Sequence, residues 1–223
     1  ALGLAVFWLP GALTRQAVAM LPEASRAQIG RALLDEITQL AGPACTTPIG
    51  APARDRLAAE VFPDAPPRLV ILRDTVPATL ALPGGILVAD AGLVEHHETP
   101  EVLAGYLLAE DVRQARADPM LALMRDAGML ATLRLMTQGS LGEDALHAHA
   151  AALLGRPRPM LADEALLPRF AAADLASTPY AYARDISGES VIGLIEADPM
   201  RGRTPRRLIS DADWVALQDI CMR

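Results

Sequence analysis

Histidine is the side chain best suited to metal binding or to proton transfer near neutral pH, and this chain has four. His96 and His97 are adjacent and precede a predicted helix, whereas His147 and His149 lie two residues apart on another. Two ligands on one helical face need a spacing of three or four residues, which neither pair has. We therefore interpret both pairs as solvated side chains.

Other catalytic patterns are weak. Gly84 and Gly85 precede a predicted strand and not a helix, so they do not form a phosphate-binding loop. The chain has no GxSxG nucleophile motif. Glu110 lies on a predicted helix, in a stripe that also contains leucines. Two interpretations of its role are open. It is either a structural carboxylate paired with Arg113 or another arginine, or a general acid or base.

A longer pattern covers residues 70–119, about a quarter of the chain. In order and spacing it resembles the zinc metallopeptidases of the HtpX and CAAX-prenyl-protease type, which are gluzincins. The resemblance rests on Ala81-Leu82-Pro83-Gly84-Gly85, the strand Ile86-Leu87-Val88, the turn Ala91-Gly92-Leu93 and the helix start Thr99-Pro100-Glu101-Val102-Leu103-Ala104-Gly105.

The chain departs from this family at the residues that bind and activate zinc. The family helix carries HExxH, in which two histidines bind zinc and the glutamate acts as general base. Alignment places Ala109 and Arg113 at the histidine positions and Glu110 at the general-base position. Alanine has no donor atom and arginine is a permanent cation. The resemblance therefore implies a degenerate site with no zinc or other cofactor, in which Glu110 is vestigial.

The third zinc ligand of the family is a glutamate on a later helix. Asp163 and Glu164 are the nearest acids in this chain, and a shift of a few residues in the alignment places Leu161 there instead. The position of this ligand stays open between the three residues.

The function that this resemblance implies is that of a pseudopeptidase on the periplasmic side of the bacterial envelope, which binds a polypeptide or a partner protein. In the family, substrate adds as an extra strand to the strand beside the active helix, and backbone pairing does not need a metal. The expected binding edge consists of Ala81, Leu82, Pro83, Gly84 and Gly85.

Two alternatives stay open. One is an active zinc peptidase with unusual ligands such as His96, His97 and Glu110. The other is a purely structural helical domain in which the resemblance to peptidases is residual. Zinc content separates the first alternative from the pseudopeptidase. Peptide binding separates the second alternative from the pseudopeptidase, because a purely structural domain binds no peptide.

Hydrophobic periodicity predicts the elements that position these residues. We expect an α+β fold in which one mostly helical domain, residues 1–223, surrounds a small antiparallel sheet, and the resemblance implies a gluzincin-like arrangement. The predicted helices are residues 14–41, 54–62, 99–117, 120–138, 142–154, 163–175 and 210–220. The predicted strands are residues 68–73, 79–82 and 86–88, and the last two form a hairpin around Pro83-Gly84-Gly85.

Composition and charge exclude several classes of protein. Hydrophobic residues make up 52% of the 223 residues, which excludes a disordered chain. The net charge of −7 argues against nucleic acid as a partner, because the protein surface that binds nucleic acid is basic. The chain has no Lys and no Asn, whose codons are AT-rich, so the composition is typical of a GC-rich bacterial genome.

The segment from Ala1 to Leu13 is apolar but shorter than the 17–25 residues that a membrane span needs. Two interpretations stay open. The segment is either the remnant of a signal or anchor segment, which would bring the chain to the membrane, or an ordinary buried helix.

The two cysteines, Cys45 and Cys221, have no metal-ligand spacing. In a reducing compartment they would be two buried thiols, and in an oxidising one they would link the N-terminal helices to the C-terminus. Because the family resemblance implies an envelope protein, we expect the disulfide.

Overall fold

Three short apolar runs form the sheet that organises the fold. The computed structural model describes residue 11 and residues 13–73, 77–138 and 140–222. The strands are β1 (Arg68–Leu72), β2 (Thr79–Leu82) and β3 (Ile86–Asp90), in the spatial order β1-β3-β2. β2 and β3 form the predicted hairpin, in which Gly84 and Gly85 both adopt positive φ angles (75° and 73°) that glycine accepts without strain.

The sheet is mixed, so the expectation of an antiparallel sheet is wrong for one of its two pairings. β1 pairs in parallel with β3, with Val70 opposite Val88. The chain reverses between β1 and β2, but β2 does not lie beside β1. The hairpin turn then brings β3 back between them, and two reversals leave β3 running in the direction of β1.

Alternate residues of each strand pack on opposite faces of the sheet, as the two-residue period of a strand requires. Leu69 and Ile71 of β1 belong to one apolar cluster, and Val70 and Leu72 belong to another. Because both faces are covered, the strands are continuous apolar runs and do not alternate with polar residues.

Helices cover both faces of the sheet and make up most of the chain. After a first helical stretch at residues 13–19, the helices are α1 (Glu23–Ala41), α2 (Gly50–Val61), α3 (Gly92–Glu95), α4 (Pro100–Arg116), α5 (Pro119–Gln138), α6 (Glu143–Gly155), α7 (Asp163–Ala172), α8 (Thr178–Arg184), α9 (Ile192–Glu196) and α10 (Asp211–Gln218), with 3₁₀ turns at Glu189–Val191 and Asp219–Cys221. One face of the sheet packs on helices that include α2 and α4, and the other packs on α1, α5 and α6.

The predicted helix at residues 14–41 is two helices in the structure. Residues 13–19 are helical, the chain leaves the helix at Met20 to Pro22, and α1 begins at Glu23. Pro22 causes the break, because its ring excludes helical geometry for Leu21 and its nitrogen has no proton to donate.

Helix α5 is interrupted at Gly128, whose φ of 81° and ψ of −177° are not helical. Before Gly128, Met120, Leu123 and Met124 are buried in the core. After it, the helix exposes apolar side chains, with Leu130 84% exposed. The prediction that this Met- and Leu-rich segment packs in the core is therefore correct only for its first half. Leu135 is the exception in the second half, since it is 3% exposed and belongs to the core. The exposed side chains are Met129, Leu130, Leu133 and Met136.

The interpretation of Ala1 to Leu13 falls almost wholly on residues outside the described part of the chain, which contains only Gly11 and Leu13 of that segment. Within the described residues, no helix is both long enough and apolar enough to cross a bilayer.

Gly30 provides a test of how tightly α1 packs on the hairpin. A Cβ atom at this position would lie 1.9 Å from the backbone oxygen of Pro83, so backbone must move to accept it. We expect Gly30→Ala to lower the free energy of unfolding by about 1–3 kcal/mol, measured by urea denaturation. Gly155→Ala is the control, because its Cβ would meet nothing within 4 Å. Equal stability of the two variants would contradict the packing.

Candidate functional site

Glu110 lies on the side of α4 that faces the sheet. The helix begins after Thr99 with Pro100 in its first turn, where the missing proline N–H costs nothing. Leu103, Leu107 and Glu110 follow at steps of four and three residues and share one face. As a result, the Glu110 side chain is 2% exposed, beside β2.

Four donors surround the Glu110 carboxylate. Oε1 accepts hydrogen bonds from the Ala81 backbone N–H at 3.0 Å and from the Arg158 guanidinium. Oε2 accepts from the Thr79 hydroxyl at 3.2 Å and from Nη1 of Arg113 at 3.1 Å. The ion pair with Arg113 that the sequence suggested is thus present, and Arg158 adds a second cation.

These contacts determine what Glu110 can do chemically. A carboxylate has about four lone-pair positions, and all four are filled by the donors above. A general base must instead reach the proton of a water or substrate with a free lone pair. In this arrangement Glu110 acts as a structural anion that joins α4 to β2 and to the segment that carries Arg158.

The two histidine positions of the HExxH pattern do not fit a zinc ion. Ala109 is fully buried among apolar side chains, and Arg113 directs its guanidinium to Glu110 and to the Pro159 carbonyl. No group of three or more His, Cys, Asp or Glu side chains within the described ranges is placed to hold a metal ion. We therefore derive no chemical step through a metal.

His96 and His97 do not join Glu110. They precede Pro100, and Glu110 lies ten positions farther along the helix, which corresponds to about 15 Å of rise. Ligands of one zinc ion lie about 2 Å from it, so these three side chains do not surround one ion in this arrangement. Burial is the main cause that lowers the pKa of His97, and His96 lowers it further.

The second histidine pair makes hydrogen bonds to carboxylates on different faces of α6. His147 contacts Glu36 of α1 at 3.0 Å, and His149 contacts Asp126 of α5 at 2.8 Å. His149 is buried, and this burial lowers its pKa although the hydrogen bond to Asp126 opposes the shift. The prediction that both pairs are solvated is wrong for His149, because α6 turns this residue toward the core.

The candidates for the third zinc ligand lie around the start of α7. Leu161 is buried in the core, Asp163 lies against Gly193, and Glu164 is exposed. No hydrogen bond or ion pair joins Asp163 or Glu164 to Glu110 in the described part of the chain.

The expected binding edge is partly occupied by the protein itself. β2 is an edge strand, but the Ala81 amide that an added strand would use already donates to Glu110. Leu82 and Pro83 are buried, while Gly84 and Gly85 are exposed in the turn. The turn packs on α1, and a Cβ at Gly84 would lie 2.4 Å from Cα of Ala27.

Arg158 is the site residue that the sequence analysis did not identify. It lies in a non-helical segment between α6 and α7, 48 residues from Glu110. The signal that points to it is its place in Arg156-Pro157-Arg158-Pro159, because prolines on both sides keep an arginine in extended backbone. Arg113 binds the same segment through the Pro159 carbonyl at 3.5 Å.

Cys45 and Cys221 form the expected disulfide, with their Cα atoms 4.6 Å apart. The bond lies at the end of β1, where the Cys45 N–H donates to the Ile71 carbonyl at 2.9 Å. Arg73 donates to the Cys221 carbonyl at 2.6 Å, so the C-terminal 3₁₀ turn is attached to the same strand.

The chain matches no protein-family model, and no curated protein matches it.

Proposed function

We propose that this chain is a non-catalytic relative of the HtpX and CAAX-prenyl-protease-type zinc metallopeptidases, which binds a polypeptide or a partner protein in the bacterial envelope. The observation that carries the proposal is the state of Glu110. It lies at the family's general-base position, yet all of its acceptor sites are filled, and Arg113 stands at a histidine position. A protein that keeps the fold of these peptidases but has lost the free general base and the zinc ligands can still bind a polypeptide without cleaving it.

Polypeptide binding is supported by the position of β2 at the edge of the sheet. The Ala81 amide faces outward, and because alternate residues of a strand direct their backbone groups to the same side, the carbonyls of Thr79 and Ala81 face outward as well. Thr79 and Ala81 are only 1% and 9% exposed, so an added strand pairs with these carbonyls only after the side chains that cover this edge move away. Complete pairing requires Glu110 to release the Ala81 amide.

The envelope assignment is supported by the disulfide. Such bonds persist in oxidising compartments, including the bacterial periplasm, and are rare in the cytosol. The link joins residues 176 positions apart and attaches the C-terminal 3₁₀ turn to the segment that follows α1.

Zinc content tests the loss of catalysis. We expect protein purified from zinc-supplemented cells to hold far less than one zinc per chain by elemental analysis, because catalytic zinc needs three protein ligands. Stoichiometric zinc in the unmodified protein would overturn the proposal.

A further inference from the structure

A cavity of about 310 Å³ lies beside the start of β2, and the charged side chains that line it are all cationic. Its walls come from the chain before β2, from α4, from α8 and from the segment between α6 and α7. Each of the last three walls contributes one arginine. These are Arg113 of α4, Arg184 of α8 and Arg158 of the connecting segment.

The charges around this cavity do not balance within the described part of the chain. Glu110 pairs with both Arg113 and Arg158, so one carboxylate serves two guanidiniums. Arg184 forms no ion pair among the residues that the structure describes. Three positive charges thus meet one negative charge, and the excess of two attracts an anion.

Arg184 is the cation whose donors the fold leaves for a ligand. It is half-buried in the last turn of α8, and its guanidinium lies over the ring of Tyr180, 5.4 Å from the centroid. None of its nitrogens forms a hydrogen bond to another described residue. The adjacent acid, Asp185, instead accepts hydrogen bonds from Ser187 and Ser190. The tyrosine ring therefore positions the guanidinium without using its N–H groups.

Glu110 satisfies the other two arginines only in part. Arg113 directs Nη1 to this carboxylate, and Arg158 directs Nη2 to it. Nη1 of Arg158 forms no hydrogen bond within the described ranges, and the Nε atoms of both arginines are buried there without an acceptor. Guanidinium N–H groups match the oxygens of phosphate and carboxylate groups, so an oxyanion supplies acceptors that the protein itself lacks here.

Tyr106 adds a neutral donor to the same wall. Burial is the main cause that raises its pKa, and Tyr180 raises it further. Arg184 and Arg113 act on this pKa in the opposite direction, which places both guanidiniums close to the phenol. Because the phenol stays protonated at neutral pH, it can donate a hydrogen bond to an anion.

The excess of two positive charges favours a phosphate monoester over a carboxylate. A carboxylate carries one negative charge, whereas a phosphate monoester carries about 1.5 to 2 at pH 7 and presents three strong acceptor oxygens. Three groups with available donors line the cavity, namely Arg158, Arg184 and Tyr106. The number of oxygens and the charge of a phosphate monoester both match this lining.

The rest of the cavity is apolar and aromatic. Tyr106 and Tyr180 pack edge to face, with ring centroids 4.9 Å apart, and Pro77, Pro159 and Met160 also line the wall. The volume of about 310 Å³ is at the lower end of the range for ligand pockets. This combination suits a small organic group that carries the phosphate.

We infer that this cavity binds a small phosphate monoester, with the phosphate among the guanidiniums of Arg113, Arg158 and Arg184. The organic group of the ligand packs against the rings of Tyr106 and Tyr180. This site goes beyond the proposed function, and it exists whether or not the chain binds a polypeptide.

Isothermal titration calorimetry with phenyl phosphate, in a phosphate-free buffer of constant ionic strength, tests this site. We expect one phenyl phosphate to bind per chain. Phenyl sulfate has the same shape but only one negative charge, so it should bind at least about tenfold more weakly. Arg184→Gln should weaken the binding of phenyl phosphate by a similar factor, since a hydrogen bond to a charged group is worth that much.

Arg207→Gln is the matched control, because Arg207 is 70% exposed and its loss changes the net charge equally. Thermal unfolding verifies that both variants are folded. The comparison with phenyl sulfate uses the unmodified protein, so it tests the site even if Arg184→Gln does not fold.

Three results would overturn the site: no binding of phenyl phosphate, equal affinity for phenyl sulfate, or full affinity in folded Arg184→Gln. Inorganic phosphate that binds as tightly as phenyl phosphate would overturn the monoester and identify a site for free phosphate. The zinc content is measured separately, so failure of this site leaves the proposed function in place, and stoichiometric zinc leaves this site in place.

Discussion

Glu110→Gln is expected to lower the free energy of unfolding by about 3–5 kcal/mol, as measured by urea denaturation at neutral pH. The carboxylate is 2% exposed and neutralises the guanidiniums of Arg113 and Arg158. The amide keeps the shape of the side chain but removes the charge, and its NH₂ group faces donors where an acceptor is needed. Two cations are then left partly buried without a counter-ion.

The matched control is Asp111→Asn, the same chemical change one residue away. Asp111 pairs with Arg169 at 2.6 Å, but both side chains are about 30% exposed, so the loss should stay below about 1 kcal/mol. Replacing Glu110, Arg113 and Arg158 together by apolar residues is expected to recover stability, because no buried charge then remains unpaired. Similar stabilities of Glu110→Gln and Asp111→Asn would contradict the structural role. Loss of cellular function in a well-folded Glu110→Gln protein would indicate chemistry instead.

Removal of the disulfide by Cys45→Ser with Cys221→Ser is expected to cost about 2–5 kcal/mol. The bond closes a loop between residues 176 positions apart, and so large a loop greatly restricts the unfolded chain. The bond also holds the C-terminal turn against β1, beside the hydrogen bond from Arg73 to the Cys221 carbonyl. The change is measured as the shift of the denaturation midpoint.

The control for this change is the unmodified protein unfolded in dithiothreitol, which should have the stability of the double variant. Thiol titration of denatured, unreduced protein from an oxidising compartment should find no free thiol from this pair. Two free thiols per chain would refute the bond and would weaken the envelope proposal with it. If the reduced and oxidised proteins are equally stable, the loop-closure argument is wrong.

The local sequence determined the elements of this protein and their order. Thr99 and Pro100 predicted the start of α4 correctly, because the preference of proline for the first turn of a helix depends only on the neighbouring residues. Pro83, Gly84 and Gly85 marked the hairpin, because only glycine adopts the positive φ angles of that turn without strain. The error at residues 14–41 is also local, because Pro22 disfavours helical geometry for Leu21 and so separates two helices there.

Tertiary structure alone decided the order of the strands and the partners of Glu110. β3 lies between β1 and β2. The sequence does not predict this order, because three apolar strands of similar length do not specify which of them are neighbours. Arg158 reaches Glu110 across 48 residues. Helix periodicity predicts which residues share a face, but it does not predict which distant segment packs on that face. The sequence therefore determined that Glu110 would be a carboxylate on the inner side of a helix. The packing of α4 against the Arg158 segment decided that this carboxylate would be neutralised by two arginines.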